Sequence, residues 1–233
     1  MSCLVARFPT SSGGDPTIDP LHLAIALVPL AVYFVLLGLI NVARRPLLAT
    51  GARDTAAIGL AISGLIVVGP MELFFPEAAA NEMGAYVWLF LIAFYSLVLT
   101  LIVLLLRPRL LIYNVQPDQF RPALAEVVSR LDDQARWAGD CLVMPQLGVQ
   151  LHVEPVGVMR VVQLIAVGPR QNDMGWRQLE AELAKTLKTR HGTANPHGYV
   201  FLGVGLSMLV LVVFQVMTHH VEVVQALHEM FRW

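Results

Sequence analysis

The side chains best suited to chemistry in this 233-residue chain gather at its C-terminal end, where His219, His220, Glu222, His228 and Glu229 are all metal-competent donors. On a helix His219, Glu222 and Glu229 share one side while His228 lies nearly opposite His219, so the donors do not converge as two histidines at i and i+4 do. The interleaved Val221, Val224, Leu227, Phe231 and Trp233 give residues 219–233 the character of an amphipathic helix on a membrane surface. Metal binding through His219 and Glu222 is the weaker alternative, and no cofactor is implied.

A second set lies near the middle of the chain. Val149, Leu151 and Val153 alternate with Gln150, His152 and Glu154, the pattern of a strand with one covered face, so His152 and Glu154 point the same way with Asp140 in a nearby loop. Together with Arg170 they outline the site of a membrane-bound enzyme, although paired polar groups of this kind occur on many solvated strands. Residues 168–173 enter a helix N-terminus and carry Arg170, a geometry that can hold an anion with Asn172 and Asp173. Capping by Asn172 or Asp173 explains the same residues without a ligand. Arg136 and Trp137, in a polar-aromatic loop, are suited to docking a partner or a membrane surface, or else to covering a small core.

Glu72 is the acidic residue placed to lie inside an apolar stretch, where an ionised carboxylate is expensive and a functional role is the default reading. It sits near the outer end of that stretch, between Pro70 and Pro76, where a carboxylate reaching headgroups or water is the plainer explanation; a small transporter or channel component using Glu72 is the alternative. The chain holds no GxxxxGK[ST], HExxH, GxSxG or CxxC motif and no glycine-rich nucleotide fingerprint after a strand. Cys3 and Cys141 are the only cysteines, and the topology below separates them across a membrane, so no structural disulfide is expected.

The elements that must position these groups are dominated by four apolar stretches, at about 21–43, 55–75, 85–106 and 196–218, each long enough to cross a bilayer. Apolar residues make up 56% of the chain and charged ones 14%, which excludes an ordinary soluble domain. Of the 16 Lys and Arg, all but Arg7 and Arg232 fall on one side of that barrier, whereas the link between the second and third stretches carries Glu77 and Glu82 and no basic residue. The positive-inside rule then places both termini outside the cytoplasm and residues 107–195 within it, in a bacterial-type inner membrane. Arg44, Arg45, Arg107 and Arg109 set this topology and attract lipid headgroups. Basic residues interleaved with acidic ones argue against nucleic-acid binding. Residues 1–20 read as a flexible polar tail, and the small-residue pairs Gly59/Ser63 and Gly203/Ser207 suit close helix packing within the bundle or, alternatively, in a dimer.

Residues 107–195 mix apolar and polar positions. A strand at 110–115, a helix at 119–131 with Phe120, Leu124, Val127 and Leu131 on one face and Pro122 in its first turn, strands at 141–144, 149–154 and 159–167, and a helix at 173–190 striped by Trp176, Leu179, Leu183 and Leu187 follow in order. The fold class is an α-helical polytopic membrane protein with a small cytoplasmic α+β two-layer insert between its third and fourth spans. The function expected is that of a non-enzymatic accessory or assembly subunit, with the lipid bilayer and a membrane-protein partner or a second copy of itself as partners.

Overall fold

The computed structural model describes residues 20–71, 73, 86–156, 160–169, 171–190 and 195–231. Helices α1 (Pro20–Val42), α2 (Gly51–Ile66), α3 (Tyr86–Leu105) and α6 (His197–Thr218) carry the apolar stretches. With the π turn Val67–Met71 that prolongs α2, these are four helices long and apolar enough to cross a membrane. The turn widens where Pro70 has no N–H to continue the α ladder. α2 begins at Gly51, four residues before the apolar run at Thr55, because Thr50 caps it by accepting from the Arg53 N–H at 3.3 Å and Asp54 suits the positive end of the helix dipole.

α1 is the central helix, with α2 and α6 packed against it. Backbones approach closely at glycines: a Cβ on Gly64 would be driven into the Ile25 carbonyl, and one on Gly205 would sit 2.9 Å from the Ala31 carbonyl oxygen. Among the described residues nothing lies within 4 Å of a Cβ on Gly203 and Ser207 is exposed, so this pair does not pack within the bundle; Gly205, two positions on, faces α1 instead. Gly59 packs under Leu99, and Tyr95 donates to the Gly59 carbonyl at 2.6 Å, joining α3 to α2. Among the described residues Val87 is the one buried residue of α3.

The rest of the chain builds an antiparallel sheet of six strands: β1 (Leu47–Thr50), β2 (Arg109–Tyr113), β3 (Arg136–Ala138), β4 (Cys141–Met144), β5 (Val149–Val156) and β6 (Val161–Ala166), in the order β1-β2-β6-β5-β4-β3. Helices α4 (Pro117–Leu131) and α5 (Asp173–Lys188) contribute Phe120, Leu124, Leu179 and Leu183 to the same core as Leu142, Leu151 and Leu164 of the strands. Both helices thus pack on one face of the antiparallel sheet. Because Pro117 starts α4 two residues early, Pro122 lies in its second turn rather than its first.

Two strands depart from the sequence expectation. β1 comes from the short link between α1 and α2 and pairs with β2 in the register Leu47↔Tyr113 to Thr50↔Leu110, so the sheet is not confined to residues 107–195. β3 includes Arg136 and Trp137, which form an edge strand rather than a loop, closed onto β4 by a turn in which Gly139 adopts φ 63°. Strands of three and four residues are too short to show a period of two, and only pairing reveals them. After a break at His219 the chain ends in α7 (His220–Phe231).

Candidate functional site

The sheet's second face meets the apolar helices. Residues that point away from α4 and α5 include Leu111 and Tyr113 of β2 and Val161 of β6, and Leu37 and Ile40 from the last turns of α1 pack on them. Beside this contact, Asp54 in the first turn of α2 accepts a hydrogen bond from the Tyr113 hydroxyl at 2.5 Å. Arg109, which opens β2, donates to Thr55 Oγ1 at 3.0 Å and lies 3.8 Å from the Asp54 carboxylate. Its aliphatic stem lies over Gly51, where any Cβ would collide with it. Burial holds the Tyr113 hydroxyl well above its ordinary pKa, the Asp54 hydrogen bond and charge push it further up, and Arg109 opposes them.

A second tie uses asparagines. Asn114, at φ 59° just after β2, donates to the Ala43 carbonyl at the end of α1. Asn41 and Asn195 are both buried; the Asn195 amide donates to Asn41 Oδ1 at 3.2 Å and its backbone N–H to the Asn41 carbonyl at 2.9 Å. Asn195 Oδ1 also accepts from the His197 N–H at 3.2 Å, so the approach to α6 is fastened to the last turn of α1. The sheet is thereby joined to α1 and α2, and α1 to the start of α6, by polar contacts as well as by apolar packing, with Arg109 Nε and Asn114 Oδ1 buried and unpartnered among the described residues.

Next to this joint is a cavity of about 280 Å³. Its walls come from the end of α3 and the start of β2 (Val103 and Leu106 to Leu110), the start of α2 (Thr50 to Ala52) and one side of α5 (Asp173, Trp176, Arg177 and Glu180). It is apolar toward α3 and charged toward α5.

The site residues expected from sequence are scattered through this architecture. Glu72 and Arg170 lie outside the described residues. Asn172 acts as a cap, its Oδ1 accepting from the Met174 N–H at 3.0 Å, and Asp173 follows it on the cavity wall. Arg136 and Trp137 are both exposed, Trp137 by 41%, so the tryptophan does not cover the core. Asp140 is paired with Arg121 and its carbonyl accepts from the Val153 N–H at 2.8 Å, His152 places Nδ1 3.5 Å from Cys141 Sγ, and Glu154 is exposed. Arg44, Arg45 and Arg107 are exposed, whereas Arg109 is engaged in the joint. His219 Nδ1 and Glu222 Oε1 are 3.3 Å apart, and among the described residues no three His, Cys, Asp or Glu side chains come together in a metal-binding group.

Reasoning from sequence missed Asp54, Tyr113, Arg177, Glu180 and the three asparagines. A signal existed for Asn41, a polar residue at the tail of an apolar helix, and for Asn114, whose type tolerates a left-handed backbone. Tyr113 and Asp54 gave none, because 59 residues separate the two ends of their hydrogen bond. Compared with family models, with curated proteins and with solved structures, the chain matches none.

Proposed function

We propose that this is a non-enzymatic integral membrane protein of the bacterial inner-membrane type, an accessory or assembly subunit whose sheet domain lies on the cytoplasmic side and docks a protein partner. The observation that carries the reading is the asymmetry of the sheet. β1 and β2 at one edge are built into the helices, while β3 at the far edge has all three residues exposed and pairs on one side only. An open edge strand accepts an extended segment by backbone pairing, and exposed Trp and Arg are the types that anchor interfaces. In the apolar helices the hydroxyls of Ser63, Ser96, Thr100 and Ser207 bond to carbonyls three or four residues back in their own helices, which suits packing rather than a polar path.

Orientation rests on the distribution of Lys and Arg. A reporter fused after Trp233 is expected to be active only outside the cytoplasm, and one inserted at Gly157 only inside; the reverse pattern would overturn the proposed sidedness. Docking is tested by quantitative mass spectrometry of tagged protein extracted gently from its native membrane. A stoichiometric membrane partner is expected with the native chain and is lost with Arg136→Glu combined with Trp137→Ala, while membrane insertion stays intact. Equal recovery with and without the substitutions removes β3 as the docking edge.

A further inference from the structure

We infer that the cavity at the end of α3 binds the headgroup of a membrane phospholipid that carries both a phosphodiester and a primary ammonium. Of the five charged side chains that line it, Arg107 and Arg177 with Asp173 and Glu180 form no ion pair or side-chain hydrogen bond with one another or with any other described residue, whereas Arg109 is engaged by Thr55 and Asp54. Two cations and two carboxylates facing one cavity without pairing suit a ligand that bears both signs. The arginines supply donors for a phosphodiester, helped by the positive end of the α2 dipole at Thr50–Ala52. The carboxylates accept from an ammonium. Arg109 adds a further positive charge, partly offset by Asp54.

The cavity's position selects a lipid over a free solute. Its apolar wall, Val103 and Leu106, is the last turn of α3 and the residue just after it, and the same end of α3 exposes Leu101, Leu104 and Leu105. That apolar surface leads from the cavity along a helix long and apolar enough to cross a membrane, so acyl chains can lie on it while the headgroup stays beside α5. The headgroup chemistry follows from the two carboxylates. A quaternary ammonium has no N–H to donate to them, and a glycerol headgroup brings a phosphate to them with no cation. A phosphoethanolamine-type headgroup meets both halves of the lining.

The test uses the full chain, purified in mild detergent, with native mass spectrometry to count lipids retained from equimolar phosphatidylethanolamine, phosphatidylglycerol and phosphatidylcholine. Phosphatidylethanolamine is expected to be retained about tenfold more strongly than the other two, the equivalent of one charge-assisted hydrogen bond. Glu180→Gln is expected to erase its advantage over phosphatidylglycerol, and Arg177→Gln to weaken its retention by about tenfold. Arg177 is exposed and Glu180 half-buried, and a native elution profile verifies each variant's fold. Equal retention of the three lipids, or unchanged selectivity in folded variants, overturns the assignment. Displacement of the lipid by equimolar soluble glycerophosphoethanolamine overturns the lipid as the source and points to a free phosphate ester. Should either variant fail to fold, the native chain's selectivity among the three lipids decides.

Discussion

Gly64→Leu is expected to break the packing of α1 against α2 and to lower the apparent melting temperature of the detergent-solubilised protein sharply. The reason is local: the position of a Gly64 Cβ is occupied by the carbonyl of Ile25, a backbone atom that cannot rotate aside. The two helices must separate along their contact, and overpacking of that kind costs about 1–3 kcal/mol even where neighbours can adjust. Helix association in a bilayer rests on close van der Waals packing, so little compensates for the separation. Gly203→Leu is the matched control, since nothing lies within 4 Å of its Cβ position, and it is expected to leave melting unchanged. Size-exclusion after graded heating reads both. A Gly64→Leu protein that melts with the native one would show that α1 and α2 do not meet at Ile25.

Asp54→Ala is expected to loosen the sheet from the apolar helices. It removes the acceptor of the Tyr113 hydroxyl and the nearest carboxylate to Arg109, leaving both donors at a largely buried contact. A hydrogen bond to a charged group contributes about 1.5–3 kcal/mol. Hydrogen exchange should quicken in Leu47–Thr50 and Arg109–Tyr113, whereas the amides of α5 around Leu179 and Leu183, which belong to the domain's own core, should keep their protection. Unchanged exchange in β1 and β2 would mean that apolar packing alone holds the joint. The same contact predicts a response to alkali. In the fold the Tyr113 proton is held above the ordinary phenol value of 10.0, so its contribution is fully present below that pH and is lost as pH rises through the higher folded value. Tyr113→Phe should remove this part of the alkaline loss of stability, which a melting series carried past about pH 10 would detect.

Gly64 and Asp54 differ in how far local pattern reveals them. The apolar stretches are legible because length and hydropathy are properties of contiguous residues, and the four helices follow them with shifts at the ends. The shift at α2 came from Thr50 and Asp54, a cap and a first-turn acid that look like a polar link when only hydropathy is read. α4 and α5 were equally legible, since Phe120, Leu124, Leu179 and Leu183 recur at helical spacing and all four are fully buried. β4 and β5 follow their alternation, but β1 and β3 do not announce themselves, and with β3 the expected loop at Arg136 and Trp137 became an edge strand.

The candidate sites were less legible than the fold. Asn172 caps α5, one of the two readings its sequence context allowed, whereas the pairings of Asp140 with Arg121 and of His152 with Cys141 were in neither reading, since each joins residues of different elements. Gly64 was passed over in favour of Gly59 and Gly203, since a small residue shows that close approach is possible and not which neighbour approaches.

What this sequence determined by itself is whatever depends on near neighbours along the chain: four apolar helices and the buried faces of α4 and α5. Only the tertiary structure decided that β1 completes the sheet, that Asp54 meets Tyr113, that Asn41 meets Asn195, and that Arg107 and Arg177 share a cavity with Asp173 and Glu180. The physical reason is that helical and strand periodicities are short-range properties, repeating within a few residues. A hydrogen bond between residues 41 and 195 instead depends on the whole chain having folded to bring them together.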